Sequence, residues 1–325
     1  MMQVINRLKA FFHPEQFQGW GKRSHYFEGW YFKVLNADAS IAFAFIPGIA
    51  MDHKGNKQAF IQVLDGRAKT AQYHKFRVDA FAPVPGKFAV NIDENFFSEK
   101  CIKLNLQTIK GELHFNGNVP WPKSFFSPGI MGPFSFVPFM ECYHGIVSMD
   151  HSIEGYLNID GSFIDFNGGR GYIEKDWGRS FPSAYVWMQT NHFSSEGISI
   201  KASVANIPWL GSSFVGFICG LWLHDRLIQF NTYNGTSLRK VKISEKTVEV
   251  VMQNRRYELS IIAHRDQATS LASPINGLMD GRIEESMSSI VEIELIETNT
   301  RKLIFSDKGY HAGMEVAGDI KRILK

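Results

Sequence analysis

The chain has 325 residues, 44% of them hydrophobic, and a formal net charge of +3. That length suits two domains better than one and can bury a sizeable core. The small charge of mixed sign argues against a nucleic-acid partner. The three widely spaced cysteines (Cys101, Cys142, Cys219) argue against a disulfide framework and for a reducing, cytoplasmic setting.

The N-terminus lacks the uninterrupted apolar run and cleavage site of a signal peptide. Ile5, Leu8 and Phe12 fall at helical spacing, with Arg7 and Lys9 on other faces, so a short helix is expected here. Two readings stand for it: packing against the body, or peripheral contact with a membrane surface. Residues 30–35 and 41–46 then read as strands, rich in aromatic and branched side chains and joined by a polar turn. Residues 59–64 follow and end at Asp65-Gly66, a hairpin signal. Residues 101–106 and 111–115 continue at short spacing. The apolar run 121–140 is long enough for a bilayer span, but Pro122, Pro128, Pro133 and Pro138 forbid a continuous helix. It reads either as an internal loop closing one barrel end or as an apolar lid through which a greasy ligand enters.

The second half repeats the pattern at residues 197–204, 214–218, 226–230, 247–252, 257–262, 290–296 and 302–305. Many short strands without a long amphipathic helix predict an all-β protein of antiparallel barrels or sandwiches. Two barrels are expected, over residues 1–175 and 176–325, with the junction close to Asp176–Ser183. The 27 phenylalanines point to an aromatic-lined interior or an apolar small-molecule ligand.

The densest chemistry lies between Tyr172 and His192, where Glu174, Lys175, Asp176 and Arg179 sit among Trp177 and Trp187. An earlier counterpart, His25 to Lys33, sets Glu28 beside Trp30 and Tyr31. Burying unpaired charge is costly, so mere folding does not call for this mixture. Glu174 and Asp176 flank Lys175 and would share one face of a strand, where two close carboxylates push their pKa values apart. We expect Glu28, Trp30, Glu174, Asp176, Trp177 and Trp187 around one pocket, with Tyr31, Gln189 and His192 also facing a ligand. Structural alternatives are ion pairs of Glu28 with Lys33 or Arg23, and of Glu174 or Asp176 with Arg170 or Arg179. Glu141, His144, Asp150 and His151 are metal-ligand types, yet their spacing matches no zinc or iron signature, so no metal is expected. Gly168-Gly-Arg-Gly171 leads into a strand and is no dinucleotide loop.

His25-Tyr-Phe-Glu-Gly-Trp-Tyr-Phe-Lys33, Pro138-Phe-Met-Glu-Cys-Tyr-His144 with Ser148-Met-Asp-His151, and Glu174-Lys-Asp-Trp-Gly178 followed by Phe181-Pro182 resemble the tocopherol cyclase family. The resemblance implies a pair of lipocalin-like barrels, related in fold to the carotenoid hydratases. It also implies an activity that closes a chromanol ring by adding a phenol oxygen across an alkene of a prenyl tail. Such chemistry needs a carboxyl acid, for which Asp176 and Glu174 are favoured over Glu28, and a dry pocket whose ring faces steady a cation by about 1–2 kcal/mol each. No cofactor is required. Plant members tend to carry Asn where Asp176 sits and a glycine-rich run where Arg179-Ser180 sit, departures that bear on the substrate more than on the fold. The alternative is a lipocalin-like carrier of an apolar or isoprenoid ligand that performs no chemistry.

Overall fold

The computed structural model describes residues 2–325, apart from the side chains of residues 2, 4 and 8. Helix α1 (Met2–Phe11) forms as the spacing predicts. Ile5 and Phe12 remain exposed, while the Leu8 side chain lies outside the described residues. Everything else of length is strand, in two large antiparallel sheets.

The first sheet opens as a meander of β1 (Tyr26–Leu35), β2 (Ala42–Met51), β3 (Lys57–Asp65) and β4 (Thr70–Phe76). Short strands follow: β5 (Phe81–Pro83), β6 (Ala89–Ile92), β7 (Asn95–Ser98), β8 (Cys101–Asn105) and β9 (Ile109–Asn116). The sheet is completed by β10 (Cys142–Ile159), β11 (Ser162–Asp165) and β12 (Gly169–Gly178). The order is β4-β3-β2-β1-β12-β10-β9-β8-β7-β6-β5, with β11 paired to β10. Thus β12 returns to lie between β1 and β10. Its core takes alternate residues of each strand, among them Trp30, Phe32 and Val34 of β1 and Ile173 of β12. Both strands are largely buried on their other face as well; β1 accordingly reads as a mostly apolar run, whereas β12 also carries the charged Arg170, Glu174, Lys175 and Asp176.

The second sheet comprises β13 (Ala184–Thr190), β14 (Ile198–Trp209), β15 (Ser212–Leu223), β16 (Arg226–Asn231), β17 (Ser237–Ile243), β18 (Thr247–Gln253), β19 (Tyr257–His264), β20 (Thr269–Ile275), β21 (Leu278–Glu297) and β22 (Leu303–Gly318). Its order, β16-β15-β14-β13-β22-β21-β19-β18-β17 with β20 on β21, repeats the plan of the first. Here too the last strand returns beside the first, and each sheet wraps its own core. This is the all-β, tandem lipocalin-like architecture that the sequence predicts.

By compactness the chain falls into two units, one running to Phe181 and adding Ala272–Arg282, the other holding Pro182–Leu271 and Ile283–Lys325. The added piece of the first unit is a hairpin whose turn, Asn276-Gly277, has φ of 50° and 84°. Gln62 of β3 clasps it by donating to the Ala272 carbonyl (3.3 Å) and accepting from the Ala272 N–H (2.8 Å). The Gly277 N–H donates to the Arg179 carbonyl at 2.7 Å.

The proline-rich stretch 121–140 is irregular except for a short 3-10 turn, Gly132–Phe136. It buries Trp121, Ile130 and Met140 and exposes Phe125 and Phe126. Among the described residues no helix is long and apolar enough to cross a membrane.

Candidate functional site

The register of β1 against β12 decides which polar residues meet. Glu28 stands opposite Trp177, Trp30 opposite Lys175 and Tyr31 opposite Glu174, while Gly29 stands opposite Asp176. Pleating sends alternate residues to opposite faces. Glu28, Trp30, Lys175 and Trp177 therefore project to the core side, and Tyr31, Glu174 and Asp176 to the other. The single pocket expected for Glu28, Trp30, Glu174, Asp176 and Trp177 is divided by the sheet itself.

On the core side Glu28 is fully buried and paired to Lys175 at 2.5 Å, rather than to Lys33 or Arg23. It also accepts from the Tyr26 hydroxyl (2.5 Å) and from the backbone N–H groups of Gln18 (2.8 Å) and Gly19 (2.9 Å). Four donors fill the roughly four lone-pair sites of a carboxylate, so Glu28 acts as a clamp. Lys175 donates further to the carbonyls of Pro14 (2.9 Å) and Gln16 and lies 4.9 and 4.6 Å from the rings of Trp30 and Trp177. Burial holds its ammonium below the usual lysine range, against the pull of Glu28. Trp30 stacks on Phe88 and donates to the Glu15 carbonyl. Its cation partner is thus Lys175, and the whole group fastens residues 14–19 to the sheet.

On the opposite face the ladder places His144 of β10 directly across from Asp176. His144 Nδ1 lies 2.8 Å from Asp176 Oδ1, and Nε2 lies 3.4 Å from Glu174 Oε2. Tyr172 donates its hydroxyl to the same Glu174 oxygen at 2.5 Å. Burial first, and the Glu174 charge second, push the Tyr172 phenol well above the usual tyrosine range, so it stays a donor. The four side chains form one line, Tyr172–Glu174–His144–Asp176. The side chains of Glu174 and His144 are only 5% and 10% exposed and that of Asp176 is 25% exposed, which makes Asp176 the accessible end. Gly29 puts no side chain beside Asp176, and a Cβ there would meet the Phe60 ring at 3.8 Å. Two register shifts in β10, between Ile146 and Ser148 and between Ser148 and His151, lie just beyond His144. Such bulges re-aim side chains beside functional sites.

The remaining expected partners are placed elsewhere. Arg170 pairs with Asp150 and not with the β12 carboxylates, and Arg179 acts on Glu141. His151 is enclosed on the core side against Phe115, 4.6 Å between rings, where burial pushes its pKa down to about 3. Of the four metal-ligand types named from sequence, only His144 joins the group, and its Nδ1 or Nε2, with Glu174 and Asp176, offers ligand atoms within 4.8 Å of one another. That set could equally accept a cation or hold protons.

Trp187, Gln189 and His192 belong to the second unit. Val186 and Met188 of β13 enter its core, so Trp187 and Gln189 lie on the other face, buried. Beside them the Tyr185 hydroxyl donates to Glu315 at 2.6 Å, and Glu285 stands opposite Glu315 in the ladder. His192 follows the strand, its Nδ1 2.9 Å from the Asn191 side-chain oxygen.

Sequence reasoning weighed His144 only as a metal ligand and passed over Tyr172 and Tyr26. A signal for the tyrosines was present. Tyr26-Phe-Glu28 and Tyr172-Ile-Glu174 both place a tyrosine two residues before a glutamate, on the same face of a strand.

Residues 118–318 match the family model described as tocopherol cyclase-like. The chain belongs to that family. A chloroplastic protein of Oryza sativa subsp. japonica described as a tocopherol cyclase is 26% identical over 103 residues, 30% of this chain. The match spans only 22% of that relative's length. Among solved structures, CghA with Sch210972 superimposes with a TM-score of 0.58 at 12% identity, covering 91% of this chain and 89% of that one. A Nitrosomonas europaea protein described as AttH gives 0.52 at 13% identity, covering 90% and 92%. At such identities these two likenesses are of fold.

Proposed function

We propose that this tocopherol cyclase-like protein is an enzyme that closes a ring on a prenylated aromatic or related isoprenoid lipid by acid–base chemistry without a cofactor. The observation that carries the reading is His144 held between two carboxylates on the β12 face, with Asp176 at the accessible end. Asp176 delivers a proton to one alkene carbon. The double bond's electrons form that C–H bond and leave a tertiary cation, the phenol oxygen attacks it, and the phenolic proton returns to the carboxylate. Atoms and charge balance, and nothing is oxidised or reduced. His144 positions Asp176 through the 2.8 Å contact of its Nδ1, while Glu174 and Tyr172 fix the far side of the imidazole. Family membership supports the ring-closing class, and the burial of Glu174 and His144 supports exclusion of water from the inner part of the line.

The test is turnover of a prenylated hydroquinone by the wild type and by Asp176→Asn, with ligand binding measured in parallel. An amide keeps the shape and removes the proton, so a loss of about 100- to 10,000-fold with binding retained is expected. Full turnover in Asp176→Asn, Glu174→Gln and His144→Gln alike overturns the assignment. A wild type that binds the hydroquinone and never converts it establishes the carrier reading instead.

A further inference from the structure

Away from the β12 face, the first unit carries an aromatic surface that its own packing leaves uncovered. Phe125 and Phe126 are 69% and 76% exposed, and Phe11, Phe12, Phe136 and Phe139 stand open around them. These rings form a connected apron: Phe12 stacks on Phe125 at 5.6 Å, Phe11 meets Phe136 at 5.3 Å, and Phe125 meets Phe126 at 5.2 Å. A soluble surface scatters exposed rings singly, whereas a contiguous apolar patch with a polar rim marks an interaction site.

The rim is cationic. A cleft of about 520 Å³ opens among Phe11, Phe136 and Phe139, and Arg7, Lys22 and Arg179 stand in its walls. The acidic groups nearby are engaged. Glu15 pairs with Lys123 at 2.6 Å and contacts His13, and Glu141 faces Arg179. Burial, then the charges of Arg7 and Arg179, hold the Lys22 ammonium below the usual lysine range. Three cations crowded beside exposed rings match a surface that offers hydrocarbon and negative charge together.

We infer that this apron docks on an anionic phospholipid bilayer, with the phenyl rings at the headgroup–acyl boundary and Arg7, Lys22 and Arg179 on the lipid headgroups. Rings of this kind anchor peripheral proteins at that depth, and each basic residue adds electrostatic attraction that salt screens. The docking is independent of the chemistry on β12 and is read without turnover.

Co-sedimentation with vesicles of phosphatidylcholine alone, and of phosphatidylcholine and phosphatidylglycerol in equal amounts, tests the inference. The wild type should pellet with the mixed vesicles, weakly with the neutral ones, and less as salt rises. Phe125→Ser/Phe126→Ser should weaken binding by about tenfold or more. Arg7→Ala and Lys22→Ala should each weaken it by about fivefold on mixed vesicles only. Phe163, 74% exposed on β11 and outside the apron, is the control, and Phe163→Ser should bind as the wild type does. Unchanged thermal unfolding of these variants certifies their fold. The inference is overturned if the wild type pellets with neither vesicle, if the double variant binds fully, or if Phe163→Ser weakens binding equally. It is also overturned if the double variant converts a dimer to a monomer and neither protein binds vesicles, since the apron then receives a second copy of the chain.

Discussion

Glu28 stands opposite Trp177 in the ladder between β1 and β12, and its neighbour Gly29 stands opposite Asp176, so the Glu28 and Asp176 carboxylates leave the sheet from opposite faces. The two motifs that look alike in sequence therefore do different work. One locks residues 14–19 onto the core side, and the other builds a line of contacts with His144.

The lock predicts a stability effect. Removing one member of a buried ion pair leaves the other charge uncompensated and typically costs about 3–5 kcal/mol. Lys175→Met should lose that much in urea unfolding, because Glu28 stays buried with only its neutral donors. The double variant Glu28→Gln/Lys175→Met should lose clearly less than the sum of the single losses. Additive losses would show that the two groups are not coupled.

His151 predicts how stability depends on pH. Its folded pKa is about 3 against 6.5 for the free side chain, through burial first and Arg170 second. Between those values the unfolded chain binds a proton that the folded chain refuses. Stability is therefore intact above pH 6.5 and is lost progressively as pH falls toward 3. At a pH of about 5 the loss amounts to about 2 kcal/mol. The difference in unfolding free energy between neutral and mildly acidic buffer should shrink by that amount in His151→Gln. An equal difference in both proteins would place the acid sensitivity elsewhere.

Much of the fold was legible because its signals are local. Branched and aromatic runs bounded by turn residues mark β1, β2, β3, β18 and β19, and no helical period competes with them. The site was legible only in part, because faces depend on register and register depends on partners distant in sequence. Glu174 and Asp176 share a face by spacing alone. That Glu28 lies across the sheet from them follows only once Gly29 is known to pair with Asp176. His144 was hidden more deeply, since it lies 32 positions from Asp176 on a strand with bulges that no short pattern announces.

Gly277 and Gly161 have almost the same backbone, with φ of 84° and 85°, and different surroundings. A Cβ on Gly161 meets nothing within 4 Å, whereas one on Gly277 would lie 2.0 Å from the Met51 carbonyl oxygen and 2.5 Å from the Tyr26 nitrogen. Gly161→Ala should cost only the left-handed backbone, about 1–2 kcal/mol. Gly277→Ala should cost more, because the hairpin must also shift. Thermal unfolding of the two variants isolates that packing contribution, and equal losses would mean that the turn is not pressed against β1 and β2.

Tyr172 gives the sharpest test of the line on β12. Its phenol remains protonated across any working pH and donates to Glu174 at 2.5 Å. A donated hydrogen bond favours the ionised form of a carboxyl. Tyr172→Phe removes it and leaves the ring in place, so the Glu174 carboxyl should hold a proton to higher pH. The alkaline limb of kcat/KM should move upward while KM changes little, because the hydroxyl is turned to Glu174 and not to the substrate. Interacting groups titrate as a unit, so the limb reports the whole line rather than any one residue. A structural role alone would lower stability and leave the pH profile where it was. An unmoved alkaline limb in a folded Tyr172→Phe protein would therefore separate Tyr172 and Glu174 from the proton-donor role proposed for Asp176.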